Sequence, residues 1–101
     1  MESEFDIGKV TGVGEYMIKE EKVDDKPRML YLKGERAFLV VNQKTVELRT
    51  DAELGRLLTE KYESVMWSRY FGKGGIEVVL AGGQLDTDEM YDLVRLSYNL
   101  T

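Results

Sequence analysis

Apolar and polar residues alternate along the first half of the chain with the period of two that is typical of strands. Residues 28–34 (RMLYLKG) and 36–42 (RAFLVVN) are predicted to form a β-hairpin, and residues 45–49 (TVELR) a third strand after a short turn. Within the second of these strands, residues 37–41 are apolar at every position. A strand of that composition is covered on both faces, so we expect it near the centre of its sheet.

Glycines and charges interrupt this pattern nearer the N-terminus. A short helix is predicted over residues 1–10 with Ser3 as its N-cap, and residues 11–14 (TGVG) end it. Residues 15–23 are predicted to form an irregular edge strand, which a charged loop ending at Pro27 connects to the hairpin.

Two later stretches change to helical periodicity, with apolar residues three and four positions apart. The first helix is predicted to begin at Thr50, which forms a capping box with Glu53. The second is predicted to begin at Asp86, which forms one with Glu89. The inward-facing positions are Leu54, Leu57, Leu58 and Tyr62 in the first helix and Met90, Leu93, Val94, Ser97, Tyr98 and Leu100 in the second.

A second hairpin is predicted between the helices, from Ser64 to Ala81, around a turn at Lys73-Gly74. This register places Trp67 among the core positions. The cross-strand pairs that it sets are Phe71 with Ile76, Arg69 with Val78 and Trp67 with Leu80. The elements follow in the order α-β-β-β-α-β-β-α, with the early edge strand as an addition, which predicts an α+β fold and one domain over residues 1–101.

The amino-acid composition excludes several classes of functional site. The chain contains neither cysteine nor histidine, which removes disulfides, thiolate nucleophiles and histidine bases. We therefore expect no enzyme, no cofactor and no metal centre. No apolar run is long enough to span a membrane, and the acidic N-terminus is unlike a signal peptide, so we expect a cytoplasmic protein that makes no membrane contact.

Charge is unevenly distributed along the chain. The net charge of −5 opposes tight binding to nucleic acid, but residues 28–50 carry five basic and two acidic side chains. The candidates for phosphate contact are Lys33, Arg36, Lys44, Arg69 and Lys73, and those for stacking on a base are Trp67 and Tyr70. The more ordinary interpretation of the residues alone is a soluble sheet whose turn lysines deter edge-to-edge aggregation.

Other charged or glycine-rich segments do not match a known site. The acidic residues at 86–92 are explained by capping and by the dipole of the helix that begins there. The two acidic pairs in residues 20–25 do not follow the spacing of a calcium loop. Residues 72–75 (GKGG) lack the Ser or Thr of a phosphate-binding loop and precede a strand instead of a helix.

Short motifs in matching order over nearly the whole chain resemble the MmcQ/YjbR family. The residues that carry the resemblance are Thr11-Gly12-Val13, Gly34, Arg36, Phe38, Leu48-Arg49, Asp51, Glu53-Leu54, Tyr62 and Ser97-Tyr98. The resemblance implies a frataxin/CyaY-like fold, a twisted antiparallel sheet with the terminal helices packed on one face. It also implies DNA binding through a double-wing arrangement of strand loops.

The chain departs from the family pattern where a ligand contact is expected. The family's Asn-Lys-basic-His-Trp signature falls on residues 72–76, where only Lys73 matches, and Ala52 replaces a proline. We predict a non-enzymatic DNA-binding protein that contacts phosphates through basic strand loops. The alternative is a protein-interaction module or homodimer that uses an exposed sheet face, because residues 37–41 and the outer positions Met66 and Val79 are apolar.

Overall fold

The structure, a computed structural model, describes residues 7–81 and 84–101. It is an α+β fold in which one six-stranded antiparallel sheet carries two helices on one face. The strands lie in the order β1-β2-β3-β4-β6-β5. Their bounds are β1 Met17–Val23, β2 Lys26–Lys33, β3 Arg36–Val41, β4 Thr45–Arg49, β5 Val65–Ser68 and β6 Gly72–Val79, and the helices are α1 Ala52–Lys61 and α2 Thr87–Leu100.

The predicted strands of the first half are confirmed. Among the described residues β1 pairs only with β2 and is the edge strand, and β2 and β3 form the predicted hairpin through a turn in which Gly34 has a φ of 66°. β3 is the third of six strands, as its apolar sequence predicts. The first described element is a single 3-10 turn at Ile7–Lys9, not the predicted helix, and residues 1–6 of that prediction, Ser3 included, lie outside the described residues.

A β-bulge in β3 allows the largest core side chain of that strand to reach α2. Tyr31 pairs with Leu39 and the next residue of β2 pairs with Ala37, so Phe38 is the extra residue. Phe38 is fully buried, and its ring meets that of Tyr98 edge-on at 5.0 Å between centroids. The bulge therefore joins the sheet to the C-terminal helix.

Ser97 of α2 forms the polar half of the same contact. Its hydroxyl donates to the carbonyl of Phe38 and accepts from the backbone N–H of Arg49 at 2.8 Å. The side chain is fully buried, so both bonds are shielded from water. Ser97 thus fixes α2 against both β3 and β4.

Helix α1 begins one residue later than predicted. Asp51, not Thr50, is the N-cap, and its carboxylate accepts from the backbone N–H of Leu54 at 2.8 Å. The hydroxyl of Thr50 is buried and has no hydrogen-bond partner among the described residues. At α2 the capping box between Asp86 and Glu89 is confirmed.

Helix α1 packs on β5 and β6 through a close contact with the tryptophan. Gly55 is buried, and a Cβ placed on it would lie 2.8 Å from Cζ3 of Trp67. Leu58 and Tyr62 pack against the core, whereas Leu57, also predicted to face inward, is 50% exposed. Because Gly55 has no side chain, the backbone of α1 approaches the indole of Trp67 closely. This contact takes the place of the one predicted for Leu57.

The predicted register of the second hairpin is wrong. Trp67 pairs with Ile76 instead of Leu80, and Ser68 pairs with Gly72 after a bulge. The two strands are joined by the three residues Arg69–Phe71 instead of a turn at Lys73-Gly74. Arg69, predicted on the core face opposite Val78, lies on the other face of the sheet.

Local hydrogen bonds explain this register. The hydroxyl of Ser68 accepts from the backbone N–H of Phe71 at 2.8 Å and of Tyr70 at 3.1 Å, which is a side-chain-mediated turn. Gly72 then has a φ of 65°, a conformation that glycine adopts without strain. The turn at Ser68 thus ends β5 early.

The segment Arg69–Phe71, here called the covering loop, lies across the face of the sheet on which neither described helix packs. Its backbone reaches Glu47 in β4, and the ring of Tyr70 lies beside Arg28 in β2. On this helix-free face Val40 is completely buried. The expectation that residues 37–41 present an exposed apolar face is therefore wrong for Ala37 to Val40, although Met66 remains 42% exposed.

Candidate nucleic-acid interface

The structure separates the predicted phosphate-binding residues into two groups. Lys44 and Arg69 line one cleft on the helix-free face. Lys33, Arg36 and Lys73 lie at the opposite end of the sheet, at the β2–β3 turn and at the start of β6.

Lys33 is already engaged in the fold. Its ammonium group donates to the carbonyl of Tyr98 at 3.1 Å and lies 4.4 Å from the centre of that ring. Because Tyr98 is in the last turn of α2, the cation also meets the negative end of the helix dipole. These contacts give Lys33 a structural role that requires no ligand.

Arg36 and Arg49 form a basic patch at this end of the sheet. Burial and the nearby charge of Arg36 both lower the pKa of Arg49 from its usual value. The guanidinium of Arg49 donates to the carbonyl of Ala37 at 2.7 Å and lies 4.7 Å from the ring centre of Phe71. Arg36 is exposed and forms no ion pair within the described part of the chain. Two neighbouring cations create a positive potential, which attracts an anion.

The two aromatic candidates have different surroundings. Trp67 is packed against Gly55 of α1 on the helix-bearing face, on the opposite side from the covering loop. Tyr70 is 40% exposed, with the guanidinium of Arg28 5.1 Å from its ring centre and Phe71 edge-on at 4.9 Å. Of the two, only Tyr70 is on the helix-free face with the cations.

Two glutamates lie beneath the covering loop. Glu47 of β4 and Glu77 of β6 are directly opposite each other, and each is 1% exposed. The guanidinium of Arg69 donates to both oxygens of Glu77, at 3.0 and 2.7 Å, and the hydroxyl of Thr45 donates to one of them at 2.7 Å. Burial alone would raise the pKa of Glu77, but the bonds from Arg69 and Thr45 and the charge of Arg69 outweigh it and hold that pKa below its usual value.

Glu47 is held by neutral groups. Its Oε1 accepts from the hydroxyl of Ser68 at 2.7 Å and from the backbone N–H of Tyr70 at 2.8 Å, and its Oε2 accepts from the amide of Asn42 at 2.9 Å. No ion pair to Glu47 is formed within residues 7–81 and 84–101. A carboxylate offers about four acceptor positions, so Oε2 keeps one that these contacts do not fill.

The cleft beside the covering loop has a volume of about 440 Å³. The acidic residues in its lining are Glu47, which is buried, and Asp24, which is exposed. Its walls are the β1–β2 tip and the β3–β4 turn. The basic residues that line it are Lys26, Arg28, Lys44 and Arg69. Arg28 is paired with Glu21 and Arg69 with Glu77, whereas Lys26 and Lys44 are exposed and form no ion pair within the described part of the chain.

Sequence reasoning missed Glu47, Glu77, Lys26, Arg28 and Arg49 as parts of this surface. The available signal was a single glutamate inside each of two apolar strands, TVELR and IEVVL. A carboxylate at such a position needs a buried partner. The incorrect hairpin register hid that partner, because it placed Arg69 opposite Val78 and away from Glu77.

No protein-family model, curated protein or solved structure matches this chain at a significant level. Within residues 7–81 and 84–101, no three acidic side chains are grouped so as to hold a metal ion. Neither described helix has the length and apolar character needed to cross a bilayer.

Proposed function

We propose that this chain is a non-enzymatic nucleic-acid-binding domain of the MmcQ/YjbR type, with a frataxin/CyaY-like arrangement of sheet and helices. It contacts phosphates through the helix-free face of the sheet and the basic loops that border it. The six-stranded antiparallel sheet with both helices on one face supports the fold assignment. The short motifs around Asp51, Tyr62 and Ser97-Tyr98 support the family assignment.

The observation that carries the proposal is the separation of charge between the two layers. Residues 17–49 and 65–79, which form the sheet and its turns, carry ten basic and seven acidic side chains. Residues 51–63 and 84–101, which form the helical layer, carry three basic and eight acidic ones. A phosphate backbone is attracted to the first layer and repelled by the second.

Burial of acidic groups strengthens this separation at the helix-free face. The carboxylates of Glu47 and Glu77 are buried and that of Glu21 is paired with Arg28. By contrast, the side chain of Arg69 is 77% exposed even though it is paired. The exposed charged residues that line the cleft on this side are therefore Lys26, Lys44 and Arg69 against Asp24, an excess of cations that supports phosphate binding.

A salt titration tests the proposal. Fluorescence anisotropy with a labelled DNA strand is expected to show binding at about 50 mM salt that weakens steeply toward 200 mM. The double substitution Arg69→Ala and Lys73→Ala is expected to weaken binding and to flatten the slope of log K against log salt by about 0.7–0.9 per lost contact. Arg56→Ala, on the exposed side of α1, is the matched control and should leave both unchanged.

Absence of binding at low salt, or identical slopes for the double variant and the wild type, would refute the proposal. Arg69 also holds Glu77, so the fold of the double variant is checked first by thermal melting. If it has unfolded, Lys73→Ala with Lys44→Ala replaces it, because both lysines are exposed and neither belongs to an ion pair within the described residues.

A second candidate function is association with another protein strand through β1. No other described strand pairs with the outer side of this edge strand, and its residues Met17 and Ile18 are 69% and 52% exposed. Exposed edge strands pair readily with strands of a partner or of a second copy. Sedimentation of the protein at high concentration tests self-association, and a monomer there would remove the homodimer.

A further inference from the structure

The helix-free cleft carries a second recognition element that the phosphate-binding function does not use. Two carboxylates lie opposite each other on β4 and β6, and among the described residues only Arg69 forms an ion pair with either of them. Glu47 forms no ion pair within the described residues, and its hydrogen bonds come from neutral donors. A buried carboxylate is costly unless its acceptors are filled, and one acceptor position on Oε2 is left for a ligand.

The rim of the same cleft is mainly basic. Lys26 and Lys44 stand on its two walls and are free of ion pairs within the described residues, and Arg69 lies beside them, against one exposed acidic residue of the lining, Asp24. A ligand that fits must therefore bring an anionic group for the rim and an N–H donor for Glu47. A nucleotide with an unpaired base has both groups, with its phosphate at one end and the donors of its base edge at the other.

A base that remains paired in a duplex cannot bind to the cleft in this way. A cleft of about 440 Å³ is within the range of ordinary small-ligand sites and is enclosed by loops on two sides. In a duplex the Watson–Crick edge of each base is occupied by its partner, so its donors are not available to Glu47. Only an unpaired nucleotide can place its base edge against a buried carboxylate while its phosphate stays at the rim.

We propose that this cleft binds one unpaired nucleotide of a single strand, with guanine preferred to thymine, its base donating to Glu47 and its phosphate lying among Lys26, Lys44 and Arg69. This inference rests on the proposed nucleic-acid-binding function and specifies its ligand. Guanine is favoured over thymine because its exocyclic amino group puts an N–H donor at the rim of the base edge, where it can reach the one open acceptor position on Oε2. Thymine has one N–H between two carbonyl oxygens, which repel a carboxylate.

Three labelled probes test the proposal by fluorescence anisotropy at about 50 mM salt. They are a nine-nucleotide oligothymidine with one central guanine, the same strand without the guanine, and a duplex of the first strand. The guanine strand is expected to bind about 5- to 100-fold more tightly than oligothymidine, the range of discrimination for a specific base contact, and more tightly than the duplex.

Glu47→Gln tests the contact itself. Because Oε1 accepts from both Ser68 and Tyr70, the carbonyl oxygen of the glutamine takes that position and its amide nitrogen replaces Oε2. This nitrogen presents a donor to the cleft, and the preference for guanine should disappear. Lys26→Ala with Lys44→Ala should weaken binding of both single strands by at least about tenfold more than Lys73→Ala does, because Lys73 lies outside the cleft. If Glu47→Gln does not fold, the double lysine variant tests the proposal in its place.

Each failure has a separate meaning. Equal binding of the two single strands, or duplex binding as tight as that of the guanine strand, overturns the inference and leaves the proposed function in place. The inference is also overturned if the lysine pair behaves like Lys73→Ala. Absence of binding to all three probes removes the proposed function together with it.

Discussion

Glu47 and Glu77 lie side by side on neighbouring strands with both carboxylates buried, and a single arginine from the covering loop is bound to the second. Like charges directly opposite one another destabilise a sheet. Here the covering loop compensates with the guanidinium of Arg69, the hydroxyl of Ser68 and the backbone N–H of Tyr70. The position of the loop and the burial of the two glutamates therefore depend on each other.

The first prediction concerns the ion pair. Arg69→Ala leaves the buried carboxylate of Glu77 without its cation and is expected to lower the free energy of unfolding by about 1–3 kcal/mol. Arg69 is 77% exposed, so solvent screening keeps the loss toward the lower end. Urea denaturation measures it, with Lys73→Ala as the control expected to stay within about 0.5 kcal/mol of the wild type. Equal stability of the two variants would contradict a structural role for the pair.

The second prediction concerns pH. The pKa of Glu77 is lowered in the folded protein, so the unfolded chain binds this proton more readily. The ionised group therefore stabilises the fold fully above its unfolded pKa, and this stabilisation is lost as the pH falls through the lower, folded pKa. Urea denaturation of the wild type from pH 7 to pH 3 should show a steeper decline than that of Glu77→Gln. Glu60→Gln, at an exposed site on α1, should decline like the wild type.

Much of the sheet could be predicted from the sequence, but the candidate site could not. Alternation predicts β2 and β4, because strands with a buried and a less buried face require it, and a continuous apolar run bounded by turn residues predicts β3. The second hairpin failed because three glycines at residues 72–75 permit several turn positions and provide no side chain to fix one. The actual turn depends on Ser68 bonding to its own backbone and on Glu47, 23 residues from Tyr70 in the chain, holding the loop. Such long-range contacts leave no local pattern in the sequence.

The third prediction concerns the start of α1. Asp51→Ala removes the N-cap and is expected to cost about 1 kcal/mol. Thr50→Val is expected to be neutral or stabilising, because the threonine hydroxyl is buried without a hydrogen-bond partner among the described residues and valine has the same shape. Thermal melts of the two variants distinguish the roles. A larger loss at Thr50 than at Asp51 would restore Thr50 as the cap.

The fourth prediction concerns the glycines beneath the covering loop. Gly75 is buried, and a Cβ there would collide with the carbonyl of Leu48 and lie 2.8 Å from Cβ of Phe71. Gly75→Ala must therefore displace either β4 or the covering loop, with an expected cost of about 1–3 kcal/mol. Gly74→Ala is the matched control, since its nearest neighbour would be the carbonyl oxygen of Phe71 at 3.4 Å, an ordinary contact.

Urea denaturation of both glycine variants measures the difference. Because Phe71 lies over Gly75 and under the guanidinium of Arg49, movement of the loop should also change the environment of Tyr70. Gly75→Ala is therefore expected to weaken binding of single-stranded DNA beyond its effect on stability, whereas Gly74→Ala should bind like the wild type. If Gly75→Ala retains both stability and binding, the covering loop does not rest on the sheet at Gly75.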